Sequence, residues 1–270
     1  MSKIPFKAVV TDMDGTFLNS KNEYDHAYFQ KILKQLKENN IHFIAASGRP
    51  LVRLRKDFEN YRDQIDLIAD NGSILVRDNN IINSHYFSYY SSIYLINFIQ
   101  ENFPNVSMII KGVNHTYIST NAPVELKKDV VYYYLDTVIR LRNLNDIPAS
   151  ERVEMISLTG EVDAKEIEQK FNAKAPFKIH VSASGYQFAD ILPYRINKAH
   201  AIKYFLRYFD LTPDQLIAFG DGMNDAEMLK LANYSYAMAN ADPKLKKIAK
   251  YEAPSNNDNG VLRTLEQYLN

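Results

Sequence analysis

The chain has 270 residues, enough to bury a sizeable core in one large or two modest domains. Its 46% hydrophobic and 24% charged content is that of a soluble globular protein. Basic and acidic residues balance at 32 each, which argues against a nucleic-acid or anionic-membrane partner, and the absence of cysteine removes disulfides, thiolate metal sites and thiol nucleophiles. The N-terminal stretch has no signal-like apolar run and no segment approaches the length of a membrane span, so a cytoplasmic location is expected.

In chain order, Ala8-Val9-Val10 reads as a short buried strand that runs into Asp12-Met13-Asp14-Gly15-Thr16. On an extended chain Asp12 and Asp14 point to one side, and Gly15 allows a sharp turn beside them. Two unit charges about 5 Å apart repel by roughly 3 kcal/mol at an effective dielectric of 20, which a cation or a retained proton would relieve. Tyr28, Phe29, Ile32, Leu33 and Leu36 recur at helical spacing within Tyr24–Asn39. The run Ile41–Ala46 predicts a second strand, ending in Ser47-Gly48-Arg49-Pro50, and a helix is expected over Leu51–Tyr61. Asp66–Ala69 predicts a third strand, ending in Asp70-Asn71-Gly72-Ser73. This alternation indicates a parallel sheet covered on both faces, whose ligands gather at the carboxyl ends of its strands.

The pattern then changes. Strands are expected near Ile81–Phe87, Ser107–Ile110, Thr116–Ser119, Glu154–Thr159, Lys178–Val181 and Tyr186–Ile191, the last two as a hairpin at Gly185. Helices are expected near Ser91–Asn102, Val124–Asn143 and Asp163–Asn172. Residues 84–189 therefore read as an α+β insertion in a core made of residues 1–83 and 190–270. After Asn197-Lys198 the first pattern resumes: a helix to Tyr208, the run Leu216–Phe219, and the cluster Gly220-Asp221-Gly222-Met223-Asn224-Asp225. A last strand is expected at Ser235–Met238, with helices at Pro243–Tyr251 and Val261–Leu269.

Asp12, Asp14 and Asp221 suit an oxygen-only site for a hard divalent ion, magnesium first. The Ser47 hydroxyl, the Asn224 amide, the Lys198 ammonium and the backbone amides of the glycine-rich turns suit an anion. Together they are the parts of a phosphate-dianion site.

Four motifs carry a resemblance: Asp12-Met13-Asp14-Gly15-Thr16, Ser47-Gly48-Arg49, Lys198, and Gly220-Asp221-Gly222-Met223-Asn224-Asp225. In that order they resemble the haloacid dehalogenase superfamily, and within it the Cof-like sugar phosphatases. Asn71-Gly72, Ala237–Ala241 and Asp258-Asn259-Gly260-Val261 accompany them. The resemblance spans the whole chain. It implies a Rossmann-like doubly wound parallel α/β core with an inserted α+β cap that chooses the substrate. It also implies Asp12 as nucleophile and Asp14 as acid and base. Mg2+ would rest on Asp12, the Asp14 main-chain carbonyl and Asp221. Met13, Ser47, Gly48, Lys198 and Asn224 would hold the phosphoryl oxygens, with Asp225 and Asn71 in support. Ala199 and Asp70 depart from the family pattern without touching a proposed catalytic atom. The expected activity is hydrolysis of a small phosphomonoester, a sugar phosphate first, by a monomer or weak homodimer. The alternatives are a phosphosugar mutase, a phosphatase of flavin mononucleotide or pyridoxal phosphate, and a phosphate-ligand sensor without turnover.

Overall fold

The computed structural model of the protein describes residues 4–128, 138–161, 163–183 and 188–270. The chain opens with β1 (Ala8–Thr11), β2 (His42–Ala46) and β3 (Asp66–Ala69), which pair in parallel. Every residue of β1 and β3 is buried, as continuous apolar runs covered on both faces require. Between β1 and β2 lies α1 (His26–Glu38), capped by the Asp25 carboxylate accepting the Tyr28 N–H at 2.9 Å. Its Phe29, Ile32, Leu33 and Leu36 are buried, the stripe that the spacing predicts. The short helix α2 (Leu51–Asp57) links β2 to β3.

Beyond β3 the chain turns back through β4 (Ile74–Arg77) and β5 (Asn80–Ser84), both antiparallel additions to the same sheet. The strand expected at Ile81–Phe87 is thus a strand of the first sheet ending at Ser84, and Phe87 makes only an isolated bridge to Val153. Asp78 and Asn79, at φ 48° and 60°, form the two-residue left-handed turn that such a hairpin needs.

A second sheet follows. After α3 (Tyr89–Asn102) come β6 (Ser107–Gly112), β7 (Thr116–Ser119), β8 (Val138–Leu141) and β9 (Val153–Thr159). Then come α4 (Ala164–Lys174), β10 (Ile179–Ala183) and β11 (Phe188–Pro193), giving the spatial order β10-β11-β9-β6-β7-β8. The helix expected across Val124–Asn143 fails at its end: Val138–Leu141 is a strand parallel to β7, because β-branched Val138 and Ile139 fit the open edge that β7 presents. The rest of that helix beyond residue 128, and the Gly185 turn, lie outside the described residues. One face of this sheet packs Ile110, Ile156, Leu158 and Ile191 against α3 and α4. The other carries Lys111, Met155, Ser157 and Asp190 toward the first sheet.

The first sheet then resumes with α5 (Lys198–Tyr208), β12 (Leu216–Gly220), α6 (Ala226–Leu231) and β13 (Tyr234–Met238). The helix expected over Pro243–Tyr251 is only α7 (Pro243–Lys246); Tyr251–Ala253 is a further strand, β14, parallel to β13. The Tyr251 ring stacks on Tyr236 at 5.1 Å, which rewards the extended pairing over another helical turn. The helix α8 (Gly260–Leu269) packs against α1. The eight-stranded order is β14-β13-β12-β1-β2-β3-β4-β5. Its parallel part departs in opposite directions from β1 and β12, so their carboxyl ends form the switch point where a crevice opens. No helix of the described residues is long and apolar enough to cross a membrane.

Candidate active site

Four loops of the first sheet meet at that crevice. Asp12 follows β1, Ser47 to Arg49 follow β2, Lys198 opens α5, and Asp221 to Asp225 follow β12. Gly15 (φ 72°) turns the first loop so tightly that a Cβ there would collide with the Asp221 carboxylate. The Thr16 hydroxyl completes this junction by donating to Asp221 Oδ1 at 2.8 Å.

Asp12 is 5% exposed, and Lys198 Nζ donates to its Oδ1 at 2.5 Å. The same ammonium donates to Asp225 Oδ1 at 2.7 Å, while Asp225 Oδ2 accepts the N–H groups of Asp221 (3.1 Å) and Gly222 (3.2 Å). Asp225 is therefore the residue that fixes both the lysine and the loop after β12. Burial, followed by the Asp225 charge, pushes the Asp12 carboxyl well above its usual range, with Lys198 opposing. Burial and Asp225 likewise raise Asp221 to about 6. Burial alone would lower Lys198, but Asp12 and Asp225 outweigh it and hold the ammonium protonated.

Oxygen atoms of Asp12, Asp221 and Asp225 lie within 4.8 Å of one another. Three carboxylates facing one ammonium leave excess negative charge, and an all-oxygen donor set of that kind fits a hard divalent cation. The Asp14 carboxylate is not in this group. It is exposed, and a guanidinium fork holds it: Arg49 Nε donates to Oδ2 at 2.8 Å and Nη2 to Oδ1. Arg49 is itself buried and fixed by Asp57 Oδ2 (2.8 Å) and Asn22 Oδ1 (2.9 Å).

Ser47 is buried and its Oγ accepts the Arg49 N–H at 3.0 Å, so it shapes its own loop; the cap of α2 is Pro50. Gly48 sits against the Asn71 amide. Asn71 Nδ2 in turn donates across to Asp190 Oδ2 on β11 at 2.7 Å. The Met13 side chain is buried in the core, and Asn224 is half-buried in the loop after β12. Asp12, Lys198, Asp221 and Asp225 are thus joined directly, while Asp14, Ser47 and Asn71 are linked to neighbours of their own.

Several contributors were not assigned from sequence. Arg49, Thr16 and Asn240, whose Nδ2 donates to the Gly15 carbonyl at 2.7 Å, all stand inside runs already singled out as motifs. Asp190 carries no local signal; only the pairing of two sheets brings it to Asn71.

A family model described as haloacid dehalogenase-like hydrolase matches residues 9–265. The Escherichia coli protein 5-amino-6-(5-phospho-D-ribitylamino)uracil phosphatase YbjI is 28% identical to this chain over 97% of it and 96% of the relative. The HMP-PP phosphatase of Cronobacter sakazakii is 25% identical over 87% of this chain and 84% of its own. The crystal structure of SMU.1108c from Streptococcus mutans superposes with a TM-score of 0.89 at 36% identity, covering 98% of this chain and 99% of that one. With the strand-end loops, the lysine and the carboxylates in place, the chain belongs to the haloacid dehalogenase-like hydrolase family, as a phosphatase.

Proposed function

We propose that the protein is a magnesium-dependent phosphatase of small phosphomonoesters, sugar phosphates first, working through an aspartyl phosphate. The observation that carries this reading is Asp12, a buried carboxylate held by a lysine that Asp225 locks in place. A carboxylate oriented in this way is set to act as a nucleophile. Asp12 and Asp221, with the main-chain carbonyl of Asp14, would hold Mg2+, which when bound offsets the charge of the phosphoryl oxygens.

In the first step an Asp12 oxygen attacks phosphorus, the bond to the leaving oxygen breaks, and Asp14 gives that oxygen its proton to yield the free alcohol. In the second, Asp14 takes a proton from water as the water oxygen attacks phosphorus. The Asp12–phosphorus bond breaks, releasing inorganic phosphate and restoring both carboxyl groups. Lys198, Ser47, Gly48, Asn224 and the backbone at Met13 bind the phosphoryl oxygens. Arg49 would let go of Asp14 as substrate arrives, since the carboxyl must face the leaving group.

Residues 84–189, continued by the strand that ends at Pro193, form the proposed cap over the crevice. The protein would work in the cytoplasm as a monomer or weak homodimer. The substrate assignment draws support from YbjI, whose name places the phosphate on a ribityl chain. Purified protein with magnesium should release inorganic phosphate from p-nitrophenyl phosphate and from hexose phosphates, and Asp12→Asn should abolish release. Full activity in Asp12→Asn would sink the mechanism, and no release from any monoester would sink the function.

A further inference from the structure

Behind the catalytic helices lies an open groove of about 580 Å3, a size typical of small-molecule sites. Its walls come from the second sheet and from helices that flank the first: His180 belongs to β10 and Tyr194 directly follows β11, while His200 and Lys203 stand on α5 and Lys230 on α6. The groove backs onto the site without sharing its groups. The first turn of α5 sends buried Lys198 to Asp12, and on its other side presents Asn197, which caps His200 N at 2.7 Å and binds Glu227 of α6.

The charge of this groove is out of keeping with the chain. The whole sequence balances 32 bases against 32 acids. Here Arg195, Lys203 and Lys230 face the single carboxylate Glu227. Among the described residues those three cations make no ion pair, whereas Lys31 and Lys246 elsewhere on the surface do. Arg195 is held at φ 67°, a left-handed conformation disfavoured for arginine, with its guanidinium 5.2 Å from the Tyr194 ring. Lys178 approaches the same ring at 5.7 Å, adding a further cation to the rim. The imidazole of His200 lies 5.9 Å from that of His85, and burial together with Arg207 and Lys203 keeps it below the usual histidine range. His180 has Glu168 at 3.8 Å and is the only histidine of the groove with an acid beside it among the described residues.

We propose that this groove is a second binding site, separate from the catalytic crevice, for a small, multiply charged anion of the phosphate type. An arginine fork beside two lysines suits tetrahedral oxyanions, and His200, held below its usual range, would take up a proton once such an anion is bound. Because its walls belong to β10, the turn after β11 and α5, a bound anion joins the second sheet to the helix that carries Lys198.

The test is proton NMR of the histidine ring signals in the metal-free full-length protein, titrated with inorganic pyrophosphate. Without metal the carboxylates of the crevice repel anions, so the groove is the site that responds. Saturable shifts of His180 and His200, with His26 unmoved, are expected, together with an upward move of the His200 titration. The double variant Lys203→Glu/Lys230→Glu should weaken binding by more than about tenfold while keeping p-nitrophenyl phosphate hydrolysis, which shows that it folds. Absence of saturation, equal shifts in the double variant, or an equal response to citrate would each overturn the proposal.

Discussion

Lys198 shares one ammonium between two carboxylates that are both shut away from water, which makes it a support of the fold as well as of the site. Its removal in Lys198→Met leaves Asp12 and Asp225 buried and unpaired, a loss on the order of 3–5 kcal/mol in urea unfolding. Adding Asp225→Asn removes one of the stranded charges, so the double variant should be less destabilised than the two single losses added together. Phosphate release should fall about a hundredfold or more in either variant that lacks Lys198. Arg49 plays the matching part for Asp14. Arg49→Lys keeps a charge but loses the fork that fixes the loop after β2 to Asp57 and Asn22, so turnover should fall about tenfold with a smaller change in KM, read from steady-state kinetics, although its hold on Asp14 must open during turnover. Asp12, Ser47 and Asp221 were legible from sequence because each follows an apolar run with a residue type that core strands avoid, whereas Lys198, which opens a helix, stood out only beside the other motifs. The Arg49 clamp was not, because an arginine's partners depend on which loops the sheet brings side by side.

Among the elements, β3 contains a testable anomaly. Asp66 is buried in the strand, and burial lifts its carboxyl to about 7 despite the Arg77 charge. Such a group binds its proton more tightly folded than unfolded. Stability therefore falls as pH rises from the ordinary aspartate range, about 4, through about 7, then levels off. Asp66→Asn removes this residue's contribution to the slope: variant and wild type should unfold alike near about pH 4, and the variant should be more stable by on the order of 2–4 kcal/mol above about pH 8. A wild-type stability that stays flat across that interval would contradict the assignment. The strands β1, β2, β3 and β12 were legible because burial on both faces writes an uninterrupted apolar run. The elements that misled have weaker signatures. Asn80–Ser84 is an edge strand with exposed and half-exposed residues, Val138–Leu141 sits within a stretch of helix-like spacing, and β14 is three residues long. Each is decided by the neighbour it pairs with, which local periodicity does not record.

On the scale of the whole molecule, the two sheets are held together by polar groups out of contact with water. Lys111 of β6 pairs with Asp70 at the end of β3, Asn71 donates to Asp190, and the Ser73 hydroxyl donates to the Glu154 carbonyl at 3.2 Å. None of these pairings was legible in the sequence, where Asp70 reads only as part of the cluster that ends a strand. Burial draws Lys111 down to about 7, with Glu154 and Asp190 pulling the other way. The desolvation of such a pair offsets most of its attraction, so its value lies in alignment more than in net stability. Lys111→Met alone strands the Asp70 carboxylate and should lower stability by about 3–5 kcal/mol in urea unfolding. Asp70 stands at φ 52°, where asparagine is the replacement the backbone tolerates. Lys111→Met/Asp70→Asn should therefore recover part of that loss, since the Asp70 charge leaves with its partner while buried Glu154 still loses the Lys111 charge. If alignment is what the pair supplies, the double variant will stay folded with a raised KM for hexose phosphates and a nearly unchanged rate with p-nitrophenyl phosphate. A double variant as unstable as Lys111→Met would instead make the pair a net source of stability.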